Sequence, residues 1–171
     1  MPVPPSHTWR AHLPTGILAS STSGSFWNLK LAPVLEPLLK DPTIAGKVLV
    51  APFIQHENLL EYVADADVGV LIYDSNSRNS LYCEPGKLSD YVFAGVPVAA
   101  SRLPTLEPVI RRLGIGETFA NPTPQEIAQA INKVLSVPKA NWKNALEKAR
   151  EELAWETQVE TFLEAVSGEQ V

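Results

Sequence analysis

The chain has 171 residues, 45% of them hydrophobic and 19% charged, with a net charge of -5. That is enough for one ordinary domain with a real core, and the balance excludes a disordered chain. The acidic charge is spread along the chain without a basic block, which argues against a nucleic-acid backbone as partner.

Cys83 is the lone cysteine, so no disulfide can form within the chain, and a reducing, cytoplasmic setting is expected. No apolar run approaches the roughly 20 residues that span a bilayer, so no transmembrane segment is expected. The first 16 residues, "MPVPPSHTWRAHLPTG", lack a signal-peptide core and read as an irregular lead-in. Residues 17–171 read as one domain, with its C-terminal helices included.

"GILAS" (16–20) is a short strand, followed by a loop of small residues. "WNLKLAPVLEPLLK" (27–40) carries leucines and Val34 on a helical face, weakened by Pro33 and Pro37, which lack a backbone donor. "KVLVAPFI" (47–54) reads as a buried strand. "ENLLEYVADA" (57–66) reads as a helix with Leu59, Leu60 and Val63 inward. "DVGVLIY" (67–73) is an apolar run rich in β-branched residues, as an interior parallel strand requires.

A polar loop, "DSNSRNSLYCEPG", comes next. A helix runs from Lys87 to Ala94 and is stopped by Gly95; "VPVAAS" (96–101) is a strand. "TLEPVIRRLG" is a short helix ending at Gly114, and "GETFA" is an edge strand. The next helix has Thr123 as N-cap, Pro124 at its first position and Glu126 closing a capping box. Ile127, Ile131, Val134 and Leu135 form its apolar stripe. "NWKNALEKAREELA" and "WETQVETFLEAV" are two further helices. Three central strands are expected at 48–53, 68–73 and 96–100. The alternation predicts an α/β class, a Rossmann-like parallel sheet flanked by helices.

Ligands of such sheets bind beyond the carboxyl ends of the strands, where the loop ending in "EPGK" (84–87) lies. A helix N-terminus offers unpaired N–H groups and the positive end of a dipole. Gly86 lets a phosphate come close to the backbone, and Pro85 fixes the turn. Lys87 puts a cation where the dipole disfavours one, a conflict that a bound anion removes. Asp90, about one turn on, is placed to accept hydrogen bonds from a ribose. A Pro-Gly turn with a solvated Lys and a surface Asp accounts for the same residues, and no GxGxxG or Walker pattern is present.

Other candidates carry less. His56 reads as a cap or loop residue without a partner for base catalysis, and Cys83 as a small packing residue. Trp142 and Trp155 read as a helix-packing pair, and Asp65 and Asp67 as structural. No HxxH, CxxC or acidic cluster has metal-ligand spacing, and no cofactor is expected.

Three stretches carry a family resemblance: "VLVAPFIQHENLLEYVADADVGVLIY", "EPGKLSDYVFAGVPVAAS" and "PTLEPVIRRLGIGETFANPTPQEIAQAINKVL". In this order and spacing they resemble the C-terminal, nucleotide-sugar-binding domain of GT-B glycosyltransferases, of the family 4 type. The resemblance implies that Lys87 meets the donor diphosphate and Asp90 the ribose. It implies that Glu84, Pro85, Gly86 and Leu88 form the loop near the phosphates, that Phe53 and Ile54 pack near the base, and that Asn79 faces the sugar.

The chain departs from the pattern in four ways. Asp90 stands where Glu is usual and reaches one methylene less. The upstream basic pair is reduced to Lys30. A strand–helix unit is missing between Leu39 and Lys47. The acceptor-binding half is missing too, and GT-B chemistry takes place between two halves.

The resemblance therefore implies a nucleoside diphosphate sugar as ligand, and an acceptor-domain protein or a second copy as partner. Three functions follow as alternatives: the donor half of a glycosyltransferase completed by a partner chain, a non-catalytic nucleotide- or partner-binding module, and a structural remnant.

Overall fold

A computed structural model describes residues 17–18, 37, 39–43, 45, 47–48, 54–73, 78–83 and 85–167. In chain order the elements are β1 (Ile17–Leu18), α1 (His56–Ala64), β2 (Val68–Leu71), α2 (Arg78–Tyr82), α3 (Gly86–Ala94) and β3 (Val98–Ser101). They continue with α4 (Leu106–Leu113), β4 (Gly116–Phe119), α5 (Pro124–Ser136), α6 (Lys139–Leu153) and α7 (Trp155–Ser167).

The four strands are parallel and lie in chain order, β1-β2-β3-β4. Every link between them is therefore a crossover, and helices supply the links from β2 onward. Gly69 pairs with Val98 and Leu71 with Ala100, while Val98 pairs with Gly116 and Ser101 with Phe119.

Successive side chains on a strand point to opposite faces, and here both faces are buried. On one face Val68, Ala99 and Phe119 pack on Ala130 and Val134 of α5. On the other, Leu71, Val98 and Ala100 join a larger core with Val63 of α1, Leu88, Tyr91 and Val92 of α3, Leu106 and Ile110 of α4, and Leu146 and Ala149 of α6. Gly69 faces this second layer. A Cβ there would stand 2.5 Å from Cγ of Tyr91, so the missing side chain lets the Tyr91 ring lie against the strand. Trp142 packs against both clusters.

The helix α6 locks the crossover layer through charge. Lys139 Nζ donates to the carbonyls of Ala64 and Ala66, each at 2.9 Å, at the end of α1. Arg150 Nε donates to the Val92 carbonyl at 3.0 Å, near the end of α3. Arg112 of α4 forks onto both carboxylate oxygens of Glu152. The first two cations sit where a helix dipole favours positive charge, an effect typically worth about 0.3–1 kcal/mol each.

Most expected elements from residue 56 onward are present, with the differences below. Gly95 (φ 75°) and Gly114 (φ 65°) end α3 and α4 in the left-handed conformation. β4 pairs with β3 alone among the described strands, so it is an edge. The Thr123 hydroxyl accepts from the Glu126 amide at 3.3 Å, as an N-cap should. The expected capping box is replaced. The Glu126 carboxylate accepts instead from the Ala120 and Asn121 amides at 3.0 and 2.8 Å and from the Asn121 side chain at 2.7 Å, which holds its pKa below the usual value. It thus pins the turn leaving β4.

Other expectations are corrected. Val48 is exposed and outside any strand, and the place beside β2 belongs to Ile17–Leu18; residues 49–53 lie outside the described residues. The strand expected at 67–73 ends at Leu71, and Ile72 is exposed. Leu60 is exposed rather than inward, because Leu59 and Val63 already fill the face of α1 toward the core. The polar loop after β2 contains a helix, α2. Trp155 lies against Phe162, with ring centroids 5.8 Å apart, rather than serving as the partner of Trp142. Of the helix expected at 27–40, residues 27–36 and 38 lie outside the described residues. Residues 39–43, 45 and 47 show no strand and no helix beyond Leu39.

Candidate functional site

Parallel strands present their carboxyl ends on one edge, here Leu71, Ser101 and Phe119. Two side chains organise that edge. Ser101 is a polar residue buried within an apolar strand. Its hydroxyl accepts from the Tyr73 amide and donates to the Tyr73 carbonyl, both at 2.9 Å. It therefore continues the β2–β3 pairing past the last ladder bond. The Thr105 hydroxyl donates to the Cys83 carbonyl at 2.9 Å, tying the loop after β2 to the loop after β3. Cys83 follows α2 directly: its amide donates to the Asn79 carbonyl at 2.9 Å and its thiol to the Ser80 carbonyl at 3.4 Å.

Pro85 is buried and extended (ψ 121°), and α3 starts at Gly86 with no side-chain cap. The Leu88 amide donates to the Pro85 carbonyl at 2.9 Å. The amides of Gly86 and Lys87 have no acceptor within the helix, as at any helix start. A Cβ built on Gly86 would meet nothing within 4 Å outside its chain neighbours and its own helix. Gly86 is not required there by packing.

Lys87 is partly buried and takes part in none of the ion pairs among the described residues. Burial pushes its pKa below the ordinary lysine value, and the nearby Asp90 carboxylate pulls the other way. The charge of Lys87 is thus held in a place that neither solvent nor a protein anion fully compensates. Burial raises the Tyr73 phenol, and so do the neighbouring Cys83 and Tyr91.

The structure brings Pro85, Gly86, Lys87 and Asp90 to one helix start. Leu88 has a different role, because its side chain is buried in the core; only its backbone belongs to the loop, and that amide is already bonded. Asn79 is exposed on α2, and Ile54 is half-buried, ahead of α1. Glu84, Phe53 and Lys30 lie outside the described residues. His56 is the exposed first residue of α1. Among the described residues no group of three or more His, Cys, Asp or Glu side chains could hold a metal ion, and no helix is long and apolar enough to cross a membrane.

Ser101, Thr105 and Tyr73 are not singled out by the sequence. A single hydroxyl at the end of "VPVAAS" is the available signal for Ser101. Nothing local marks Thr105, whose acceptor lies 22 residues earlier.

Two clefts lie away from Lys87. One of about 300 Å³ lies at the other end of α3, against Gly95, Leu146 and Arg150. One of about 450 Å³ borders β4, with Arg102, Arg111, Glu117 and Lys133. The described strands also run in chain order without reversal, so they form no switch-point crevice. Gly86 is exposed and Lys87 half-buried at the start of α3. No protein-family model matches the chain, and no curated protein is significantly similar to it.

Proposed function

We propose that the chain is a donor-side domain of the glycosyltransferase kind, which holds a nucleoside diphosphate sugar at the start of α3. A separate acceptor-binding domain would complete the transferase. The observation that carries this reading is the helix start without a side-chain cap, where exposed Gly86 adjoins a partly buried lysine that takes part in none of the ion pairs among the described residues. A diphosphate there accepts from the Gly86 and Lys87 amides, neutralises Lys87 and meets the positive end of the helix dipole. Asp90 then accepts from the ribose. During transfer the same groups stabilise the charge that develops on the departing diphosphate oxygen.

A second reading is binding without turnover. It is favoured by the described strands, which run in chain order without reversal.

Calorimetry with a panel of nucleoside diphosphates and their parent nucleosides tests binding. The expected result is diphosphate binding that Lys87→Ala weakens while sparing the nucleoside, and that Asp90→Asn weakens for both. No nucleotide binding by the native chain leaves only a Pro-Gly turn with a surface lysine. Assay of sugar release from the bound donor, with and without an added acceptor-domain protein, separates transfer from binding alone.

A further inference from the structure

We propose that α7 docks a partner protein through a helical segment whose apolar face is flanked by Lys or Arg. Trp155, Val159, Phe162, Leu163 and Val166 recur at the spacing of a single helix face. In a one-domain protein such a stripe normally faces the core. Here no residue of α7 is buried. Trp155 is 62% exposed, Phe162 52%, Leu163 57% and Val166 69%.

The helix is held at its first turn. Thr157 Oγ1 donates to the Glu151 carbonyl at 2.6 Å and Gln158 Nε2 to the Glu152 carbonyl at 2.9 Å, both at the end of α6. Beyond that turn it projects a hydrophobic ridge. A helix of 13 residues is marginal in water without tertiary packing, so an occupant of the stripe would also stabilise the helix.

Charge selects the occupant. Glu156, Glu160 and Glu164 recur every four residues and form an acidic ridge along the Leu163 edge of the stripe. The helix has no Lys or Arg, whereas α6 mixes both signs. A second copy would bring an identical acidic ridge and a further net charge of -5. An anionic lipid surface would be repelled as well. A partner segment with a basic flank complements the ridge and leaves its apolar residues free to cover Phe162 and Leu163.

The test uses the full chain and two fluorescein-labelled helical peptides of about 20 residues. Both carry Leu along one face; one is flanked by Lys, the other by Glu. Fluorescence anisotropy should show the Lys peptide binding, and the Glu peptide binding weaker by about tenfold or more. Replacing Glu156, Glu160 and Glu164 by Lys should reverse that preference. Phe162→Asp with Leu163→Asp should abolish binding, with the far-ultraviolet spectrum of the rest of the domain unchanged. The proposal is overturned by equal or absent binding of the two peptides, or by binding that survives the aspartate variants. It is also overturned by a dimer, seen in sedimentation, that the aspartate variants dissociate, or by capture on phosphatidylserine vesicles through α7.

Discussion

At its C-terminal end α3 is closed by its own protein. Gly95 adopts φ 75° and donates its amide to the carbonyls of Tyr91 and Val92, while Arg150 Nε bonds the Val92 carbonyl as well. A cation meets the negative end of the dipole, and the left-handed glycine turns the chain toward β3. At its N-terminal end the same helix has Pro85, which donates nothing, then an exposed Gly86, then a cation with the wrong sign for that end. One end resolves its backbone groups and charge within the fold. Among the described residues the other has no side-chain cap and no ion pair for its lysine. The contrast between the two ends is what the proposed diphosphate site at the N-terminal end rests on.

The sharpest way to break the comparison is to remove what the open end offers a ligand. Lys87→Gln should weaken diphosphate binding by about 1.5–3 kcal/mol, the usual size of a charge-assisted hydrogen bond. Thermal stability of the free protein should stay level or rise, because a partly buried charge whose desolvation outweighs the pull of Asp90 has gone. Gly86→Ala should act likewise. Its methyl meets no protein atom but occupies the phosphate's space, and replacing glycine near a helix start adds up to about 1 kcal/mol of stability. Calorimetry alongside thermal melts checks both. A variant that loses stability together with binding points to a structural role.

Gly69→Ala strikes the seat beneath both ends. The added Cβ falls 2.5 Å from the Tyr91 ring, which has the β2 backbone on one side and the core on the other. Overpacking of this kind costs about 1–3 kcal/mol. Urea denaturation should report that loss, and binding should fall with it, in contrast to Gly86→Ala.

The closed end should respond in stability alone. Gly95→Ala forces a side chain into a left-handed position, at a cost of about 1–2 kcal/mol, and pushes against the Arg150 guanidinium 2.8 Å away. Arg150→Met keeps most of the packing but loses the cap, and should cost about 1 kcal/mol. Diphosphate affinity, measured below the melting range, should be unchanged in both. Weakened affinity in Arg150→Met would mean that the two ends are coupled, and the contrast between them would lose its meaning.

What can be read from the sequence is what neighbouring residues decide. The apolar run of β2, Gly95 and Gly114 as helix stops, and Thr123 with Pro124 all act within a turn or two of themselves. Lys87 and Gly86 are legible as a helix start for the same reason. Illegible are contacts between residues far apart in the chain. Lys139 caps α1 across more than 70 residues, Arg150 caps α3 across 58, and Ser101 clasps Tyr73 across 28. The polar composition of "SRNSLY" resembles a loop, although its backbone closes into α2. Leu60 falls outside the core because a helical stripe read from sequence is wider than the face its neighbours can cover.

The smallest expected effect concerns pH, and it isolates the charge at the open end. Burial lowers the Lys87 pKa in the folded protein below its ordinary value of 10.5, against the pull of Asp90. In the window between the lowered value and 10.5, the unfolded chain holds a proton that the folded chain has released. Stability contributed by this group therefore rises with pH across that window. Below the window both states are protonated and the full penalty of the buried charge is present. Solvent near this partly exposed side chain keeps that penalty modest. Lys87→Gln has no such group, so the stability of native protein relative to the variant should improve as pH climbs from about 7 toward the ordinary lysine value. Urea titrations of the pair at several pH values read the difference directly, because all other titrating groups cancel. A bound diphosphate favours the protonated lysine and should raise its pKa again, so saturating ligand should flatten the trend, and affinity should fall once pH passes the lowered value. A difference that is flat with pH in the free protein would place Lys87 in ordinary solvent, and the two ends of α3 would then no longer differ in how they hold charge.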